Sequence, residues 1–162
     1  MNKQYLIDQL AARLRASADT AERSGIFAAA EARDSATLAE RKENSQTAIE
    51  AAGLARGHLD RMARIRADLA TLETLDPSPM LPGARIGLGA VVEVENDEGG
   101  RTFFLAPTGA GEELTAPGGD GFFSVVTPHS PLGRAVMNKK LGDDVEVDVG
   151  GNTREWTITW VV

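Results

Sequence analysis

Two periodicities divide the chain. From residue 3 to about 75, apolar side chains recur at steps of three and four. Leu6, Leu10, Leu14, Ala18 and Ala21 form one set, and Leu59, Met62, Ile65, Leu69 and Leu72 the other. That spacing places each set on one stripe of an α-helix, the seam of a coiled coil. The stretch contains no proline and is dominated by Ala, Leu, Arg and Glu, which lose little on entering a helix. Asn2 stands where a first helix needs an N-cap. Asp76-Pro77-Ser78-Pro79 ends the second set, because proline cannot continue the hydrogen-bond ladder. One helix of about 70 residues and two antiparallel helices both fit the pattern. Pairing Leu6 with Leu72, Leu10 with Leu69, Leu14 with Ile65, Ala18 with Met62 and Ala21 with Leu59 favours the hairpin. In that pairing the sum of partner numbers stays between 78 and 80, so the chain reverses between Leu38 and Arg41. No glycine or proline marks the reversal. Its local support is the polar run Glu40 to Ser45, with Asn44 or Ser45 as cap of the returning helix.

Along this hairpin the seam changes. Near its base the pairs are Leu, Ile and Met. Farther out, Ala28, Ala29, Ala30, Ala32 and Ala36 face Ala48, Ala51 and Ala52, and Gly25 is expected opposite Gly53. Small facing residues let helices approach closely but bury little apolar area. A weak, frayed end and a narrow finger are both compatible with that. At 1.5 Å per residue, arms of some 35 residues would be roughly 50 Å long.

Beyond Pro82 the period becomes two. Val91-Val92-Glu93-Val94-Glu95, a turn at residues 96–100, and Arg101 to Leu105 read as a hairpin. A glycine-rich loop, residues 109–121, leads to Phe122-Phe123-Ser124-Val125-Val126. Val145 to Val149 and Arg154 to Trp160 form a closing pair. Between them Ser130-Pro131-Leu132-Gly133-Arg134-Ala135-Val136-Met137 opens like a helix, with Ser as N-cap and Pro at the first position. The expected fold class is α+β. An antiparallel helical coiled-coil hairpin (1–75, tip near 38–44) and a linker (76–84) precede a small antiparallel five-stranded sheet with one short helix (85–162).

Charge alters what this architecture can be asked to do. The net charge of −7 falls entirely in the second half. Residues 1–75 hold 11 basic and 11 acidic side chains, and residues 76–162 hold 6 and 13. A chain of pI 4.9 is poorly suited to gripping a phosphate backbone, so no independent nucleic-acid binding is expected. With Cys 0 there is no disulfide, zinc knuckle or cysteine nucleophile. His58 and His129 have no His or Cys at ligand spacing. No apolar run approaches the roughly 20 residues needed to cross a bilayer, and the N-terminus lacks a signal-peptide apolar region. The expectation is a soluble, cytoplasmic monomer.

Few residues suggest chemistry. Ser130 has no neighbouring base and is explained as a cap, and His129 sits beside that helix start. Gly118-Gly119-Asp120-Gly121 is a loop, since no Lys-Ser/Thr follows it. Lys139-Lys140 fits either a binding contact or a solvated turn. The reversal at residues 38–44 is the exception. Glu40 and Glu43, three apart on a protruding turn, could lend oxygen ligands to Mg²⁺, though not a complete cage. An ordinary solvated turn is the alternative.

Residues Thr127 to Val147, THR-PRO-HIS-SER-PRO-LEU-GLY-ARG at their start and Asn138-Lys139-Lys140-Leu141-Gly142-Asp143-Asp144 later, resemble the C-terminal signature of the bacterial Gre transcript-cleavage factors. Asn138 stands where that family usually has glycine. The order of hairpin, linker and small FKBP-like domain is also similar. The resemblance implies that the hairpin enters the secondary channel of bacterial RNA polymerase, where an Asp-Leu-x-Glu-Asn tip helps hold the second catalytic Mg²⁺. Glu40-Arg41-Lys42-Glu43-Asn44 falls at that tip. Glu43 and Asn44 match, Lys42 takes the variable position, Glu40 replaces Asp, and Arg41 replaces an apolar residue.

The implied function is a polymerase accessory factor, not an enzyme in its own right, that stimulates cleavage of backtracked RNA. Glu40 and Glu43 would assist a metal held only in the complex, with Arg41, Lys42 and Asn44 supporting the tip. No cofactor is expected in the factor alone. Docking would use Ser130, Pro131, Arg134, Lys139, Asp143 and Asp144, although the two aspartates could equally cap a strand. A related factor that occupies the channel and inhibits or modulates transcription is the alternative. Two other classes are peptidyl-prolyl isomerase, limited to Phe103, Phe104, Phe122, Phe123, Trp156 and Trp160 for its pocket, and a plain coiled-coil dimerisation module.

Overall fold

A computed structural model describes residues 1–34, 44–119 and 121–162. The helical half is two helices, α1 (Lys3–Asp34) and α2 (Asn44–Glu73). They run antiparallel. Glu22 Oε1 lies 3.8 Å from Arg66 Nη2, while farther along α1 Gly25 packs beside Ala55 and His58. Ala18, Ala21, Ala28, Ala51, Ala55 and Ile65 are buried as seam residues. The expected register is displaced, however. A Cβ on Gly25 would meet His58 Cβ at 3.3 Å, whereas one on Gly53 would meet nothing within 4 Å. Gly53 is therefore not the partner of Gly25. Leu59 is half exposed rather than sealed in the seam, and Ala30 and Ala52 face outward. Alanine-rich seams specify register weakly, because sliding one small side chain past another changes little buried area.

The second half is a six-stranded sheet, one strand more than expected. Its strands are β1 (Val91–Asn96), β2 (Gly99–Leu105), β3 (Glu113–Thr115), β4 (Phe122–Val126), β5 (Asp144–Val149) and β6 (Asn152–Val161), ordered β3-β4-β2-β1-β6-β5. The added strand, β3, is three residues long and lies within the glycine-rich stretch, too short for alternation to reveal it. It pairs antiparallel with β4, which in turn lies parallel to β2. The sheet is thus mixed, not purely antiparallel. The connection from β2 to β4 is long enough to bring the chain round into a parallel pair. One register shift, between Glu93 and Val94, marks a bulge where β1 meets β6.

Residues Met1–Ala11 and Thr71–Val162 form one compact unit and Ala12–Ala70 another. In the first unit the sheet carries apolar residues on both faces. Val92, Val94, Phe103, Leu105, Val145, Val147, Trp156 and Ile158 form a core with Val136 of a short helix, α3 (Pro131–Val136). The pleat sends the intervening Val91 and its cross-strand partner Phe104 to the other face, and both are fully buried. The start of α1 is held at the edge of β3. Gln9 Nε2 donates to Thr115 O at 2.9 Å, and Thr115 N–H donates to Gln9 Oε1 at 3.1 Å. A side-chain amide thus completes the edge of β3 as a neighbouring strand would. Leu10 lies directly over Gly109, where an added Cβ would fall 2.6 Å from Leu10 Cδ1. Leu6, Leu10 and Leu72 are fully buried. Lys3 is buried with them, and desolvation lowers its pKa, partly offset by the Asp76 carboxylate.

Candidate functional site

The expected tip residues Glu40, Arg41, Lys42 and Glu43 lie outside the described residues, as do the side chains of Asp34 and Asn44. Among the described residues, no group of three or more His, Asp or Glu is placed to hold a metal ion. Nor is any helix there long and apolar enough to cross a membrane.

The other candidate face is built around α3. Ser130 sits extended at φ −73° and ψ 156°, and its Oγ accepts from Gly133 N–H at 3.0 Å. The same hydroxyl donates to Thr127 O at 2.8 Å, tying the helix start to the residue that follows β4. Ser130 is therefore a cap, as its sequence context indicates, with Pro131 at the first helical position. This tight turn depends on Gly133. A Cβ there would lie 2.0 Å from Thr127 O, a distance no side chain can occupy. The sequence does not signal this role, since a glycine inside a short helix gives no hint of what its missing side chain would strike.

Past α3 the chain turns at Asn138, which holds φ +63°. Asparagine tolerates this left-handed conformation better than most residues with a side chain. That is why it can stand where the resembling signature has glycine. Asn138 N–H donates to Ile86 O, and Ile86 N–H to Lys139 O, so the turn is stitched to the incoming chain. Arg85 Nη1 adds a bond to Asn138 O at 2.8 Å. Asp143 Oδ2 accepts from Lys140 N–H at 2.9 Å and closes the next turn. Asp144 Oδ1 accepts from Thr157 Oγ1 at 2.7 Å across the β5–β6 pair. Both aspartates thus have local structural work.

An open groove of about 510 Å³ runs beside β5. It gathers Arg134, Lys139 and Asp144 from the expected docking set and adds Glu146 and Glu155. Ser130, Pro131 and Asp143 do not line it. Glu146 and Glu155 are direct cross-strand partners, an arrangement that costs energy between like charges. The guanidinium and ammonium groups lining the same groove oppose that repulsion. Alternation along Val145-Glu146-Val147-Asp148 puts Glu146 on the face opposite the buried Val145 and Val147, and the strand register brings Glu155 opposite it. Arg134 also donates to His129 O at 2.7 Å, which fixes one end of its fork. The groove has mixed charge, with Ala135 and Val145 as its apolar lining, the composition of a polar contact surface. Phe103, Phe104 and Trp156 are spent in the core, so the aromatic set available to an isomerase pocket shrinks accordingly.

A family model described as "Transcription elongation factor, GreA/GreB, C-term" matches residues 81–161. The chain is 34% identical over 136 residues to a transcription elongation factor GreA of Methylococcus capsulatus, covering 84% of this chain and 80% of that protein. It is 30% identical over 145 residues to the GreA of Alkalilimnicola ehrlichii, covering 88% and 84% respectively. Among solved structures, the GreA factor homolog 1 of Thermus thermophilus overlaps 94% of each chain at 19% identity, with a TM-score of 0.37.

Proposed function

The chain belongs to the GreA/GreB family of transcription elongation factors, and from that premise we propose that it binds RNA polymerase and stimulates cleavage of backtracked RNA. The hairpin of α1 and α2 would enter the secondary channel, and the docking face would include Arg134, Lys139 and Asp144. The observation that carries the reading is the pair Glu40 and Glu43, placed in sequence between two long antiparallel helices. Carboxylate oxygens are the hard donors Mg²⁺ prefers, and two of them suit a metal whose other ligands come from elsewhere. A polymerase-bound Mg²⁺ would supply charge stabilisation and an activated water. This chain would contribute two negative charges held in place by its helices. It acts on the polymerase as a cytoplasmic monomer and accessory factor, with no cofactor and no grip on nucleic acid of its own.

Addition to a stalled, backtracked elongation complex tests this. Wild type should yield shortened RNA, and Glu40→Ala and Glu43→Ala should not. A second reading rests on Arg41. A cation between the acids competes with a metal for the same carboxylates, which suits a factor that occupies the channel and lowers transcription without cleavage. Loss of transcript with no shortened RNA would decide for it.

A further inference from the structure

Several large apolar side chains remain in water along the helical unit. Phe27 is 65% exposed and Leu54 62%. Single exposed apolar residues need no explanation. These two belong to different helices yet line one open groove of about 520 Å³, together with Arg23, Glu31 and His58. An apolar centre rimmed by charge is the composition of a contact surface.

The order of the charges indicates what covers it. On α1, Arg23 and Glu31 flank Phe27 at four residues on either side, about 6 Å up and down the helix axis. All three line the same groove. Neither charge has an ion-pair partner among the described residues. A two-fold axis through Phe27, perpendicular to the helix, exchanges the two ends and so sets each cation against an anion. Self-complementarity of this kind is what an isologous interface requires.

We propose that this groove is a self-recognition surface. Two copies pair antiparallel along α1, Phe27 and Leu54 meeting at the centre, with Arg23 of each copy against Glu31 of the other. The apolar centre is far smaller than the roughly 1,200–2,000 Å² of a standard stable interface. The pairing is therefore weak and reversible, populated at high protein concentration. It covers part of the hairpin, so the paired form is a reserve from which the monomer is released by dilution. This inference does not depend on the polymerase reading.

Sedimentation equilibrium of the full chain, from micromolar to millimolar, is the test. Wild type should show a reversible monomer–dimer equilibrium. Phe27→Ser should weaken it at least about tenfold. Arg23→Glu should do likewise, since the reversed pair occurs twice in a two-fold dimer. The double variant Arg23→Glu/Glu31→Arg should restore association to near the wild-type level. Circular dichroism checks that every variant keeps its helix content. Three results would overturn the proposal: a monomer at all concentrations, a dimer indifferent to these changes, or a double variant that does not recover. A monomer whose Phe27→Ser variant loses polymerase binding would assign the groove to the channel wall instead.

Discussion

Leu10 and Phe27 stand on the same helix and meet opposite fates. Leu10 is fully buried, with its methyl over Gly109, whereas Phe27 is mostly in water. The difference follows from what lies across from each. The unit containing residues 1–11 and 71–162 brings a sheet, a loop glycine and an edge strand to the helix. The unit of residues 12–70 offers each helix only the other one, through a seam of alanines. The first is held by large side chains in close contact, and its backbone approaches admit no extra atom. The second is held by little buried area and leaves large side chains such as Phe27 and Leu54 in water.

Glycine-to-alanine changes sharpen that contrast, because the same methyl should act with opposite sign in the two units. Gly133→Ala should destabilise most. Its Cβ would sit 2.0 Å from a backbone carbonyl that is itself fixed by Ser130. A loss of about 3 kcal/mol or more is expected in chemical denaturation followed by tryptophan fluorescence. A Gly133→Ala protein as stable as wild type would show that the α3 turn can open without cost.

Truncating leucines makes the next test. Leu72→Ala removes a fully buried side chain and should cost about 2–5 kcal/mol. Leu54→Ala removes one that is 62% exposed and should change stability by less than about 0.5 kcal/mol. Equal losses from the two would erase the distinction between the units.

In the helical unit, Gly53→Ala and Gly57→Ala should each stabilise by up to about 1 kcal/mol. A Cβ at either position meets nothing within 4 Å, so only the helix-propensity gain remains. Amide hydrogen exchange along α2 reads this locally, and protection that falls in either variant would contradict it.

What could be read from the sequence divides along the same line. The two helices, the strand-rich second half and the Ser130 cap were all legible, because period, proline placement and capping are local signals. The register of the hairpin was not, since alanines opposite alanines leave many offsets nearly equal. This is why Gly25 meets His58 rather than Gly53, and why Leu59 lies half exposed. β3 is not legible because three residues cannot display alternation. Gly133 and the Gln9–Thr115 pair depend on contacts distant in sequence or on an absent side chain. Of the candidate site, Arg134, Lys139 and Asp144 from the expected docking set share one groove. The tip acids rest on sequence position and resemblance alone.

Lys3 supplies the smallest expected effect and the finest probe of the packed unit. It is 2% exposed, and desolvation holds its pKa below the ordinary value of 10.5, while the Asp76 carboxylate pulls the other way. Between the lowered folded value and 10.5 the unfolded chain binds more protons than the folded one. Stability contributed by this group therefore rises with pH through that window, and below it the full cost of burying the charge is present. Lys3→Met keeps the length of the side chain and removes the charge, so at neutral pH it should be neutral or stabilising by about 1 kcal/mol. Its advantage over wild type should shrink as pH approaches 10.5, because wild type sheds the same proton there. Thermal melts of both proteins from pH 7 upward measure the gap. A gap that stays constant or widens would mean that Lys3 keeps a well-solvated ammonium, and that the base of the hairpin is less closed than the burial of Leu6, Leu10 and Leu72 implies.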